Sequence, residues 1–465
     1  MRKNCTGDSG LLVTAAASLR ARIRATFVGN SVRGRFARGA AWMVLGGLAG
    51  QVISAAGSVV VARLLGKVRL GELGMLLSTI GMFNLVAELS LGVTASKHVA
   101  QYRTSDPNRA GRILGLAHIT GWLSGLVTAG LVFLLAGLLA DRALAAPNLA
   151  PYLRLASPVL LLTALSGVQS GALVGIEAFR PLSSRRIVLT SVQTLLGIVG
   201  VWAYGIAGAL LASLVSGVIG LLWIRQLLLH ECRGRGIAIS YRGVGRESSI
   251  LWRFALPSMM SGLLFTPVLW AANALLVRMP GGFGELGAFN AANQWRTLIL
   301  WVPGILGSVT LPMLSTFLAE GNASRYVRTL KVNLLINVAV GLAVALPISL
   351  AAPWIMAMYG RGFRDSWLAL VALCFAGVLQ GAGHVVGSAL TSLGRMWWGF
   401  ALNGIWAIEI LTATVLLRHR GAIGLAEAYL ISYVLHTLQT AVLTFVVLPR
   451  HIRRVGVRSE TSCGG

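Results

Sequence analysis

VVVARLLGKVRLGELGMLLSTIGMFNLVAELSLGVT, residues 59–94, holds the pattern that decides the fold. An apolar run closes on Arg63-Leu64-Leu65-Gly66, and a basic turn with Lys67 and Arg69 follows. Gly71-Glu72-Leu73-Gly74 then opens a second apolar run, and after Glu72 the only charge before Lys97 is Glu88. Each run has roughly the 20 residues that a helix needs to cross the hydrocarbon of a bilayer, and the turn between them is long enough only to reverse the chain.

The same alternation extends outward in both directions. Apolar segments are predicted at 39–62, 71–96, 113–140, 152–176, 187–205, 206–229, 250–278, 286–318, 330–351, 366–393, 397–417 and 422–448. The eighth is long enough to require a tilt, or a kink at Pro303 or Pro312. Over all 465 residues, 56% are hydrophobic and 12% charged, with a mean hydropathy of +0.76. Soluble chains carry about 25% charged residues, so a soluble enzyme, a disordered chain and a disulfide-stapled secreted domain are excluded. The expected architecture is an all-α polytopic membrane protein of about twelve transmembrane helices in two pseudo-symmetric six-helix bundles around a central cavity. Residues 39–229 form the first bundle and 250–448 the second. Segment 230–249 is a cytoplasmic linker, flanking residues 1–38 are a basic cytoplasmic segment, and 449–465 are a basic tail. The run Leu11 to Val28 has arginines at 20, 22 and 24 and lacks the charge-then-apolar order of a signal peptide, so it reads as a helix lying on anionic lipid.

There are 40 Lys+Arg against 14 Asp+Glu, a formal charge of +26. With twelve spans, one side of the membrane receives 29 of the basic residues and the other nine, while Arg154 and Arg296 fall inside spans. Cytoplasmic loops collect Lys and Arg, so both termini are expected in the cytoplasm, and the charge needs no nucleic-acid partner. The chain also repeats itself. Gly71-Glu72-Leu73-Gly74 returns as Gly284-Glu285-Leu286-Gly287, 213 residues on, and the turn Phe179-Arg180 returns as Gly394-Arg395, 215 residues on. Six spans separate the copies, so both insert in the same sense, and binding belongs where the halves meet.

Enzymatic signatures are missing. There is no phosphate-cradling GxxxxGK[ST], no HExxH, no GxSxG and no paired carboxylate in an aqueous loop. Cys5, Cys232, Cys374 and Cys463 lie far apart, without metal-ligand spacing. The chain is read as a non-enzyme without cofactor or metal that moves or holds something.

Polar residues inside the spans carry the functional signal, because a charge at the bilayer centre costs about 2.5–3.5 kcal/mol on insertion scales. Glu88 shares a narrow stripe with Asn84 and Gly81. In the eighth segment Asn290, Asn293, Gln294 and Thr297 fall on one face, with Arg296 at its flank, which favours a cavity wall over lipid. Arg63 and Arg278 end the first and seventh segments at equivalent positions, where snorkelling is the ordinary role of an arginine. Arg154 and Arg253 read as anchors. Glu409 with Asn403 forms another isolated polar pair, and His118, His384 and His436 each stand alone on apolar faces.

With these patterns in view the chain resembles the polysaccharide-unit, O-antigen-type flippases of the multidrug/oligosaccharidyl-lipid/polysaccharide superfamily. Arg35 to Gly50 (RFARGAAWMVLGGLAG), Val61 to Gly66, Gly71 to Gly74 and Glu88 to Thr94 carry the resemblance, with basic Lys97 and Arg103 following. Leu70 or Leu73 stands where an aromatic is common. The resemblance implies a multi-pass protein of the bacterial inner membrane that flips polyprenyl-pyrophosphate-linked oligosaccharide repeat units outward by alternating access, for surface polysaccharide export. The lipid-linked oligosaccharide and membrane lipids are then its partners, with a polysaccharide polymerase and glycosyltransferases as candidate neighbours. Segments one, two, seven and eight line the cavity in that superfamily, which makes Arg63, Glu88, Arg278, Asn293, Gln294 and Arg296 the candidates for head-group contact. Glu88 and Glu409 are the candidates for ion coupling. A cation-coupled drug or metabolite extruder of the same fold should carry more intramembrane acid than these two. A non-transporting membrane scaffold should tolerate loss of Arg296 or Asn293.

Overall fold

The computed structural model describes residues 32–262, 264–394 and 396–444. Most of the basic amino-terminal segment, the tail 449–465 and Arg395 of the repeated turn lie outside the described residues.

Among the described residues, eight continuous helical stretches are long and apolar enough to cross a membrane. Three of them double back, at Gly66, Gly205 and Gly421, each with a positive φ that a side chain would oppose. Gly282–Ala319 adds a further crossing, so the chain traverses as often as its alternating pattern predicts. The stretch Val32–Glu88 divides at Gly66 into α1 (32–65) and α2 (67–88). After α3 (Pro107–Leu138) and α4 (Pro158–Gly175), the stretch Phe179–Arg233 divides at Gly205 into α5 (179–204) and α6 (206–233). The second half holds α7 (Phe265–Val277), α8 (Gly282–Ala319), α9 (Ala323–Leu350), α10 (Trp367–Ser392), α11 (Met396–Leu417) and α12 (Gly421–Val442). At 38 residues, α8 is about 57 Å long at 1.5 Å per residue, well beyond the ~30 Å of hydrocarbon.

The second expected helix is interrupted, as are 152–176 at Ser157 and 250–278, which is divided into shorter pieces. The run 71–96 breaks at Leu89 and Ser90, both with positive φ, and resumes as Leu91–Tyr102. Neither residue is a glycine, so the surroundings must hold the break. Ser124 Oγ takes the Ala87 carbonyl at 2.7 Å, and Gly92 then lies against the Gly167 backbone of α4.

The two copies of Gly-Glu-Leu-Gly meet. A Cβ on Gly71 would collide with the Phe283 carbonyl, and one on Gly287 with the Lys67 carbonyl, so α2 and α8 cross backbone to backbone, as only small residues allow. Around this crossing Lys67 Nζ pairs with Glu285 Oε1 at 2.6 Å, and Glu285 Oε2 accepts from the Ala422 amide at 2.9 Å. Tyr359 Oη bonds Ser58 Oγ at 3.2 Å, and the Trp295 indole donates to it at 3.2 Å.

The halves are joined unequally at their two ends. At the end bearing the Gly66 and Gly281 turns, one apolar core runs through both halves, from Leu65, Leu73 and Met75 to Leu286, Tyr359 and Tyr429. At the linker end the described apolar clusters belong to one half each. Val99, Leu114 and Leu228 form one, and Leu314, Tyr326 and Val385 form the other. The exception is Ala255, set against Leu91 and Val168, where the linker delivers the chain into α7. There Glu247 is buried between Arg109, at 3.1 Å, and Arg112, at 3.4 Å. A Gly71→Leu substitution should force α2 and α8 apart. Overpacking of this kind costs about 1–3 kcal/mol, and a fall in the melting temperature of the purified protein, absent for Gly130→Leu in open space, measures it.

Candidate functional site

A cavity of about 640 Å³ lies between the halves at membrane depth. Its walls come from α1 (Ser54, Ser58), α2 (Leu77, Ser78), α5 (Gln193, Thr194), α7 (Asn273), α8 (Asn290, Asn293, Gln294, Arg296), Tyr359 and Tyr429. Hydroxyls and amides dominate the polar lining, and no carboxylate belongs to it among the described residues.

Arg296 is the one charged group among the described lining residues. The residue is only 6% exposed, and three contacts fix it. Nε donates to Asn293 Oδ1 at 2.6 Å, Nη1 donates to Gln380 Oε1, and the guanidinium stands 5.3 Å from the centroid of the Tyr429 ring. Every acceptor is neutral, and no carboxylate lies within salt-bridge distance among the described residues. Guanidinium does not deprotonate in proteins, so the site holds a full positive charge at a depth where an uncompensated charge is costly. Neighbouring groups are underused as well. Asn290 Nδ2 and Asn273 Oδ1 make no hydrogen bond, although buried amides are normally satisfied. An anion with hydroxyl neighbours would satisfy both deficits.

The residues singled out in the sequence separate into two groups. Asn293, Gln294 and Arg296 line the cavity together with Asn290, and Gln294 Nε2 reaches across to Ser54 Oγ at 3.4 Å. Thr297 turns away and bonds the Asn293 carbonyl. Arg63 is exposed at the rim, where Nε donates to the Met358 carbonyl at 2.6 Å. Arg278, also exposed, ties the halves through the Ala143 carbonyl at 3.2 Å and the Arg142 carbonyl. Glu88 lies outside the cavity wall, where Asn84 Nδ2 donates to it at 2.9 Å and Thr163 Oγ1 donates to Asn84 Oδ1 at 2.5 Å. Glu409 accepts from Gln439, apart from the cavity. His118 is buried, with Nδ1 on its own Leu114 carbonyl at 2.8 Å. Gln380, Asn273 and Gln193 escaped notice in the sequence. Each is a single amide in an apolar run, a signal of the same kind that marked Asn84.

A polytopic helical membrane protein with a cavity between two helical bundles is the class that this fold defines. Residues 36–318 match the family described as polysaccharide biosynthesis protein. The chain belongs to that family. It is similar, at 27% identity over 188 residues, to the EPS I polysaccharide export inner membrane protein EpsE of Ralstonia nicotianae; the matched region is 39% of this chain and 42% of that protein's length. Its fold matches an inward-facing multidrug resistance MATE family transporter of the MOP superfamily, with a TM-score of 0.66 and 19% identity over 92% of this chain and 97% of the other. A MOP superfamily transporter from Pyrococcus furiosus, described as having a binding pocket of reverse polarity, matches with a TM-score of 0.61 and 18% identity over 89% of this chain and 95% of the other. The chain shares the fold of these transporters.

A cysteine introduced at Asn290, in a chain whose Cys5 and Cys463 are changed to serine, should react with a charged, water-borne thiol reagent. Ala288→Cys, buried one side-chain row away, should not. Equal labelling of the two would contradict a water-accessible cavity at this position.

Proposed function

We propose that this protein carries polyprenyl-pyrophosphate-linked oligosaccharide repeat units from the cytoplasmic to the outer face of the bacterial inner membrane, with both termini in the cytoplasm. The carrying observation is Arg296: a buried guanidinium with no carboxylate partner among the described residues, on the wall of an amide- and hydroxyl-lined cavity. A pyrophosphate is the complementary ligand, because arginine matches phosphate oxygens as a planar fork, and the flanking amides suit sugar hydroxyls. The 29-to-nine bias of basic residues supports placing the linker end in the cytoplasm. The sealed end, with the Gly71–Gly287 crossing and the Lys67–Glu285 pair, then faces outward, and the arrangement is the one that receives substrate from inside. An anionic head moving outward travels with a cell-negative potential, worth ~2.3 kcal/mol per charge per 100 mV. An extruder of organic cations would require acid in the cavity, and none of the described lining residues is acidic.

Cells lacking the protein should accumulate the lipid-linked oligosaccharide on the cytoplasmic leaflet. Arg296→Ala should reproduce that accumulation and cut export by about tenfold or more, since a hydrogen bond to a charged group contributes about 1.5–3 kcal/mol. Arg296→Lys keeps the charge without the fork and should restore export only in part. An unchanged lipid-linked pool in the deletion strain would overturn the proposal.

Glu88 is the candidate for ion coupling, because its Asn84–Thr163 network provides a carboxylate held by neutral partners away from the substrate wall. Glu88→Gln should leave substrate binding intact while removing the response of transport in inverted vesicles to an imposed pH gradient. A response equal to wild type would assign coupling elsewhere. Glu409, held by Gln439, serves as the comparison carboxylate in the same assay.

A further inference from the structure

A second cavity, of about 500 Å³, lies inside the C-terminal bundle among α7, α8, α10, α11 and α12. A single layer of side chains divides it from the first. Arg296 lines the central cavity and donates to Gln380, which lines the second. Tyr429 and Tyr433, one turn apart on α12, face the two cavities in the same order.

The chemistry of the second cavity differs from that of the first. Phe265 and Trp406 stack there, with centroids 5.1 Å apart and planes 9° apart, presenting an aromatic wall. Asn403, His384 and His436 supply amide and imidazole groups, and no lysine, arginine or carboxylate lines the space among the described residues. One side chain more than nine-tenths buried carries an unused polar atom: Trp406 (2% exposed) leaves its indole Nε1 without an acceptor. His436 Nδ1 is unpartnered as well. The indole N–H is a donor only, and a buried donor left idle requires an acceptor from outside the chain. Gly387 adds open space at the wall, with no atom within 4 Å of where its Cβ would stand.

These features select among ligands. A cation would need a carboxylate and a second phosphate would need a lysine or arginine, and the lining offers neither. An acyl chain would leave the amide, imidazole and indole groups unsatisfied. A sugar ring suits them, with its C–H face on an aromatic plane and its hydroxyl rim among donors and acceptors. We propose that this cavity is a second saccharide subsite, taking an uncharged sugar ring of the same head group whose phosphates meet Arg296. The inference rests on the flippase reading. It makes the Arg296–Gln380 contact the boundary between the two parts of one extended site, so that the length of the repeat unit is read across both cavities.

The test uses the full chain in lipid nanodiscs and two probes: inorganic pyrophosphate, and oligosaccharides released by partial acid hydrolysis of the host's own surface polysaccharide. Trp406→Phe keeps the ring and removes the donor, and Gly387→Phe fills the space. Oligosaccharide affinity should fall about threefold to tenfold for Trp406→Phe, the range for one neutral hydrogen bond, and by more for Gly387→Phe. Pyrophosphate affinity should stay within about twofold of wild type in both, which also reports that the variants are folded. Oligosaccharide binding that is absent in wild type, or unchanged in both variants, would overturn the subsite. Pyrophosphate binding that still depends on Arg296 would then leave the flippase reading standing. A deletion strain with a normal lipid-linked pool would remove that reading and the subsite with it.

Discussion

A guanidinium held at membrane depth by neutral partners is the constraint on which the rest of the structure depends. Hydrocarbon penalises charge, and the ordinary remedy is a carboxylate close by. Here Asn293, Gln380 and the Tyr429 ring surround Arg296 instead. These groups orient the fork and soften the desolvation without cancelling the charge. A carboxylate in the same place would have produced a more stable resting protein and a site with no use for an anion. The amides therefore keep the positive charge available, and the cavity beside it, about 640 Å³ in volume, provides the space in which it can be used.

The glycine crossing sets how the halves are joined around that charge. Where α2 and α8 meet at Gly71 and Gly287 the contact is backbone on backbone, with few interlocking side chains to disengage. The surrounding ties are the Lys67–Glu285 pair, the Arg278 contacts with the Arg142 and Ala143 carbonyls, and the Tyr359 hydroxyl on Ser58. Partly exposed ties of this kind contribute modestly each. The joined end is thus held by many small interactions over one shared apolar core, whereas the linker end keeps two separate cores. Rigid-body switching, as the proposed transport cycle would need, would have to break this joined end rather than the linker end.

Much of this was legible in the sequence because hydrocarbon imposes strict rules. Length and polarity located the helices, and the repeated Gly-Glu-Leu-Gly located the axis between the halves. The polar face of α8 could be read because Asn290, Asn293 and Gln294 recur at the helical period. What the sequence left out is direction and strain. Arg63 and Arg278 occupy equivalent places in the repeat, as the pattern indicates, yet both end on backbone carbonyls at the rim. Their long side chains can reach either way, and position alone does not fix the choice. The break at Leu89 and Ser90 carries no glycine or proline to announce it. It is imposed by Ser124 and by the approach of Gly92 to α4, contacts that pair residues far apart in the chain.

The histidines show the same limit from the other side. His384 and His436 read individually as packing residues, since a lone imidazole on an apolar face has no evident partner in its own helix. Brought together from α10 and α12 around Trp406 and Asn403, they line a common space. A site assembled from residues scattered over several helices leaves no local motif, because each helix contributes only a few separated polar groups at a tolerable cost to its insertion. Distributing the polar groups in this way would let the proposed hydroxyl-rich head group be matched inside a bundle whose helices still read as apolar to the bilayer.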